Sequence, residues 1–136
     1  MQSIKQLALG LFCTLSMGVN AMAESEMLAS QPSTGLRHVV VFKYRPEATS
    51  EEIQRVTDAF RELQHKIEGI THFEYGVNNS PEGLDQGFSH IYQLTFTDAA
   101  ARDAYLPHPE HAKFGQLLGQ LGILDGVFVV DYPAQP

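Results

Sequence analysis

From Arg37 to Tyr44 the chain alternates between two faces: Val39 and Val41 point one way, and His38, Val40, Phe42 and Tyr44 the other. Both faces are largely apolar, which predicts a strand covered on both sides and ended by Pro46. Thr49 with Glu52 reads as a capping box. Ile53, Val56, Phe60, Leu63 and Ile67 then recur at helical spacing with polar residues opposite, and Gly69 marks a stop. Phe73, Tyr75 and Val77 alternate in a second strand, Thr71 to Val77. Asn78 to Gly87 carries Asn, Ser, Pro and Gly and reads as a loop. The third strand runs from Phe88 to Phe96, with His90, Tyr92, Leu94 and Phe96 on one face and Ile91 and Thr95 on the other. Thr97 is placed to cap a short helix ending at Tyr105. A break follows, then a helix through Phe114, Leu117, Leu118 and Leu121, and a last strand from Gly126 to Tyr132.

The order strand, helix, strand, strand, broken helix, strand predicts an α+β fold. It is the ferredoxin-like βαββαβ arrangement, a four-stranded antiparallel sheet with helices on one face. Val39, Val41 and Ile91 would then leave an apolar patch on the other face, which a soluble monomer rarely tolerates. A second copy packed sheet to sheet is the simplest cover, so a homodimer is expected.

The break itself is the stretch richest in chemistry. Tyr105 to Phe114 holds a phenol, two imidazoles and two prolines. Pro107 and Pro109 cannot sit inside a helix, but Pro109 suits a first helical position. His108 is then the expected N-cap, with His111 in the first turn and on the same side of it. Tyr105 can fold back toward them. A neutral imidazole beside a tyrosine hydroxyl is a proton-transfer pair near pH 7. A metal bound by His108 and His111 with Glu110 or Asp103 has compatible spacing, yet no further ligand is evident and none is assigned.

The 136 residues suffice for one domain with a modest core. Residues 1–23 read as a secretory signal peptide, with Lys5, the apolar run Leu7 to Val19, and Ala21-Met22-Ala23 as cleavage site. Residues 24–36 read as a flexible tether and 37–133 as the folded domain. A periplasmic or secreted protein is expected, with no membrane contact after cleavage. Cys13 is the single cysteine and lies in the leader, so the mature chain has neither disulfide nor thiol chemistry. The formal net charge of −7, without a basic patch, argues against nucleic acid.

Three segments together carry a resemblance: Arg37-His38-Val39-Val40-Val41-Phe42-Lys43, Phe88 to Phe96, and Tyr105 to Phe114, with the loop Asn79-Ser80-Pro81-Glu82-Gly83-Leu84 fitting as well. Over about Leu36 to Tyr132 the chain closely resembles the stress-responsive dimeric α/β-barrel family, or Dabb domains. The resemblance implies homodimers whose sheets face each other as a barrel, with a cavity between sheet and helices in each subunit. Most bacterial members have no assigned activity. A plant relative, a polyketide cyclase, works by aldol condensation with a tyrosine and a histidine. The resemblance carries these onto Tyr105 and His111, and further cavity histidines onto His38 and His90; His108 matches the other motif histidine. No cofactor is implied.

Three functions follow as expectations. The first is a stress-linked homodimer that binds a small, partly apolar molecule against His38, Val40, Phe42, Phe60, His90, Tyr92 and His108. The second is a cofactor-free cyclase or isomerase using Tyr105 and His111. The third is a structural dimer, in which His38 and His90 are satisfied core residues and Tyr105 anchors the helix break. A cavity on the order of 300 Å³ or more would favour the first two.

Overall fold

The computed structural model describes residues 35–135. The leader, and the tether before Gly35, lie outside the described residues. The elements are β1 (Leu36–Tyr44), α1 (Ser50–Lys66), β2 (Ile70–Val77), β3 (His90–Phe96), α2 (Ala99–Tyr105), α3 (Pro109–Leu121) and β4 (Leu124–Pro133). They form one antiparallel sheet in the order β2-β3-β1-β4. This is the expected ferredoxin-like fold.

Local chemistry sets most boundaries. The Thr49 hydroxyl accepts from the Glu52 amide at 3.2 Å, and the Glu52 carboxylate accepts from the Thr49 amide at 2.9 Å. That capping box satisfies two helix-end donors of α1. The helix ends at Lys66, and the chain turns through Gly69, whose φ is +86°. A Cβ there would lie 2.5 Å from that of Ala101, so both conformation and space require glycine. At α2 the cap is Asp98 and not Thr97: the Asp98 carboxylate accepts from the Ala101 amide at 2.9 Å. The Thr97 amide is instead bound to Gly69 O at 2.9 Å, which ties that residue to the end of the sheet. Phe88 and Ser89 precede β3 rather than joining it, since Gly87 at φ +85° still turns the chain there.

The helices bury one sheet face. Val40, Phe42, Tyr92, Leu94 and Phe96 meet Val56, Phe60, Leu63, Tyr105 and Phe114 in the core. Tyr92 is fully buried and its hydroxyl has a directional role. Thr57 Oγ1 donates to Ile53 O at 2.9 Å, so it accepts from Tyr92 Oη at 2.9 Å; Tyr92 in turn accepts from Tyr44 Oη at 3.0 Å. Tyr92→Phe should remove two of these bonds while leaving the ring packing intact. It is expected to cost about 1–3 kcal/mol in chemical denaturation, and a cost near zero would show the network to be unimportant.

The opposite face has no covering layer within the chain. Val39, Val41 and Ile91 are half-buried, whereas Phe128, Val130 and Tyr132 are 51%, 40% and 46% exposed. A hollow of about 530 Å³ lies on this side, under the loop between β2 and β3, lined by Val41, Ile91, Phe88, Leu84 and Phe128. No helix among the described residues is long and apolar enough to cross a membrane.

Candidate functional site

The helix break forms as its prolines dictate. Tyr105 closes α2, and the His108 amide donates to Tyr105 O at 3.0 Å. Pro109 opens α3, with His108 as N-cap. Its Nδ1 accepts from the Glu110 amide at 3.1 Å, so that nitrogen is spent on the start of its own helix. His111 Nδ1 donates to Leu106 O at 3.0 Å, because a carbonyl can only accept. Its ring lies against Tyr105, centroids 4.2 Å apart at 32°.

Tyr105 is 1% exposed and its ring also touches Phe96 and His38, at 5.2 and 5.6 Å. His38, on β1, stands opposite Asp131 on β4 in the sheet register. Its Nδ1 donates to Asp131 Oδ1 at 2.6 Å. Arg102 Nη1 donates to the other Asp131 oxygen, and Arg102 Nε donates to Asp103 Oδ1 at 2.7 Å. Arg102 thus braces Asp131, and Asp131 fixes the tautomer and tilt of His38.

Hydrogen-bonding capacity remains open at this end. Neither Tyr105 Oη nor the Nε2 of His38 has a hydrogen-bond partner among the described residues, yet no buried side-chain polar atom there is unsatisfied. Both atoms must therefore touch open volume. The two residues line a cavity of about 240 Å³ between sheet and helices. Val40, Phe42, Phe60, Phe114 and Leu118 form its apolar body, Val127 and Val129 its wall on β4, and His38, Tyr105 and His111 its polar end. It is somewhat smaller than the ~300 Å³ of an ordinary ligand pocket, which limits an occupant to a small molecule.

Burial governs the ionisation of this end. It pushes the Tyr105 phenol well above its ordinary value, helped by the nearby Asp131 charge, so the hydroxyl stays a proton donor. Burial also lowers His38 below 6.5, against the opposing pull of the Asp131 hydrogen bond and charge. The His38–Asp131 contact is then a hydrogen bond from neutral imidazole near pH 7. A histidine lowered in the folded state holds fewer protons than in the unfolded chain as pH falls. Its stabilisation is complete above about pH 6.5 and is lost as pH drops through the lower folded value. His90, lowered by burial, acts with the same sign. Thermal melts should be flat above about pH 6.5 and decline below it, before carboxylates titrate. His38→Gln should flatten that decline; an unchanged profile would remove His38 from the account.

The structure thus brings His38, Val40, Phe42, Phe60, Tyr105 and His111 to one cavity. His90, Tyr92 and His108 do not line it. His90 shares the sheet face but sits near the end of β1, where its Nδ1 meets Ser89 Oγ at 2.8 Å and its ring meets Tyr44 edge-on at 4.8 Å. Tyr92 is committed to Thr57 and Tyr44, and His108 to its cap. Sequence reasoning missed Asp131, Arg102 and the β4 valines. The alternation Val127, Val129, Asp131 was the available signal for a shared face. Among the described residues no cluster of His, Cys, Asp or Glu could hold a metal ion.

Comparisons with known proteins agree with this architecture. Residues 36–134 match the family model for Dabb, the stress responsive A/B barrel domain. Stress-response A/B barrel domain-containing protein HS1 of Arabidopsis thaliana is 33% identical over 97 residues, 71% of this chain and 87% of that protein. Olivetolic acid cyclase of Cannabis sativa is 23% identical over 82 residues, 60% of this chain and 81% of that protein. A solved dimeric ferredoxin-like protein of unknown function from Jannaschia sp. CCS1 is 30% identical with a TM-score of 0.63, covering 74% of this chain and 99% of that one. The chain belongs to the Dabb, or stress responsive A/B barrel domain, family.

Proposed function

We propose that this chain is an exported homodimer that binds a small, mostly apolar molecule in the cavity between sheet and helices. The observation that carries the binding function is the polar end of that cavity: a buried phenol and two imidazoles, each held by fold contacts, at one end of an apolar chamber. A structural dimer would need no open volume there. The homodimer is supported by the uncovered apolar face and by the dimeric relative. Export is supported by the leader pattern of residues 1–23, and N-terminal sequencing of the secreted or periplasmic form should find Glu24 first. Mass spectrometry of small molecules co-purified with the mature protein tests the binding function. Recovery of a compound lost in Phe60→Trp or Leu118→Trp, which fill the chamber, supports it; a clean wild-type protein that no small molecule stabilises against heat refutes it.

A second function is favoured by one geometric fact. Tyr105 offers a donor hydroxyl beside His111, whose Nδ1–H is committed to Leu106 O. In the tautomer that carries its single proton on Nδ1, His111 has its lone pair on Nε2. It can remove an acidic proton from carbon between two carbonyls, becoming imidazolium. The C–H electron pair moves onto the carbonyl oxygen as enolate, which the Tyr105 hydroxyl stabilises by hydrogen bonding. Reprotonation elsewhere gives isomerisation; attack on a second carbonyl gives cyclisation. Olivetolic acid cyclase is a relative whose name states a ring closure.

A further inference from the structure

The donors and acceptors at the polar end restrict what can bind there. His38 and His111 both spend Nδ1–H on the protein, on Asp131 Oδ1 at 2.6 Å and Leu106 O at 3.0 Å. The neutral His38 ring therefore turns an acceptor, Nε2, to its remaining neighbours. Tyr105 supplies a hydroxyl that stays protonated and can donate. The lining contains no lysine or arginine. The nearest guanidinium, that of Arg102, is held by Asp131 and Asp103. The Asp131 carboxylate stands directly behind His38 and opposes a second negative charge.

We infer that the cavity selects an uncharged ligand with a hydroxyl head, a phenol, enol or alcohol, on an apolar body, and rejects carboxylates and phosphates. Such a hydroxyl donates to His38 Nε2 and accepts from Tyr105 Oη, so these two groups are satisfied. A hydrocarbon of the same shape fills the chamber but leaves those partners unpaired. A carboxylate brings only acceptors to the His38 Nε2 acceptor and meets no lysine or arginine in the lining. This inference rests on the cavity-binding function proposed above and adds the chemical class of the ligand.

Calorimetric titration of the full mature protein at pH 7.5 with 4-propylphenol, propylbenzene and 4-propylbenzoate tests it. The three share one apolar body and differ in the head. The phenol should bind at least tenfold more tightly than propylbenzene, and the benzoate more weakly than either. Tyr105→Phe should reduce that preference without weakening propylbenzene. Equal binding of phenol and hydrocarbon, or tighter binding of the benzoate, overturns the hydroxyl class while the cavity function stands. Failure of all three at millimolar concentration overturns the cavity function and the inference with it.

Discussion

Val41→Glu should split the proposed homodimer, and light scattering of the purified domain should report a halved mass. Val41 sits in the middle of β1, opposite Ile91 on β3 and Phe128 on β4, all on the face without helices. In an isolated chain this face is half-exposed, and a glutamate there would stay hydrated at small cost. Between two packed sheets it would be an unpaired buried carboxylate, costing several kcal/mol. Two-fold symmetry places it in the interface twice. Each ~1.4 kcal/mol weakens association tenfold, so micromolar protein should dissociate or unfold. The control is Lys43→Glu, whose side chain points from the helix-free face near the sheet end and already reaches Asp125 at 3.5 Å; it should perturb mass far less. A wild type that is monomeric at micromolar concentration, or a Val41→Glu protein still dimeric with unchanged melting, would defeat the sheet-to-sheet homodimer.

How much of this was legible before the structure depends on the range of each interaction. The capping box at Thr49, the Pro109 start and the His108 cap are decided within four residues, so composition alone pointed to them. The element order and sheet faces came from alternation and helical spacing, which local burial imposes. Thr97 and Asp98 illustrate the limit: both are good caps, and in the fold Asp98 takes the cap while the Thr97 amide is held by Gly69 O. The site was half visible. Tyr105, His108 and His111 are neighbours in sequence, but only the fold separates the cap from the stacked ring. Asp131 is 93 residues from His38, and their hydrogen bond exists only because β4 pairs with β1 in one register. A one-residue slip would turn Asp131 to the other face. His90 misled for the converse reason. Sharing a face with His38 says nothing about position along the sheet, and His90 meets Tyr44 and Ser89 without lining the cavity.

On the proton-transfer function proposed above, Tyr105→Phe should abolish acid/base turnover while leaving the fold untouched, and that pairing makes it the sharpest test of the site. The ring is buried against Phe96, His38 and His111, and phenylalanine keeps those contacts. The hydroxyl bonds to no group among the described residues, so its removal orphans no partner, and the stability change should stay within ~0.5 kcal/mol. Catalytic loss should be far larger, about 10²–10⁴-fold, if the hydroxyl stabilises an enolate at the moment of proton transfer. Deuterium exchange at the central carbon of a cyclic 1,3-diketone, followed by NMR, reads that step without requiring the natural substrate. His111→Ala should remove the exchange equally, but it also breaks the bond to Leu106 O and the Tyr105 stacking, at about 1–2 kcal/mol. The two variants therefore separate chemistry from support. Exchange lost in both with Tyr105→Phe as stable as wild type assigns the pair to proton transfer. Wild-type exchange no faster than buffer, together with a melting point lowered in Tyr105→Phe as by a lost buried hydrogen bond, would make Tyr105 a structural anchor of the helix break and end the catalytic proposal.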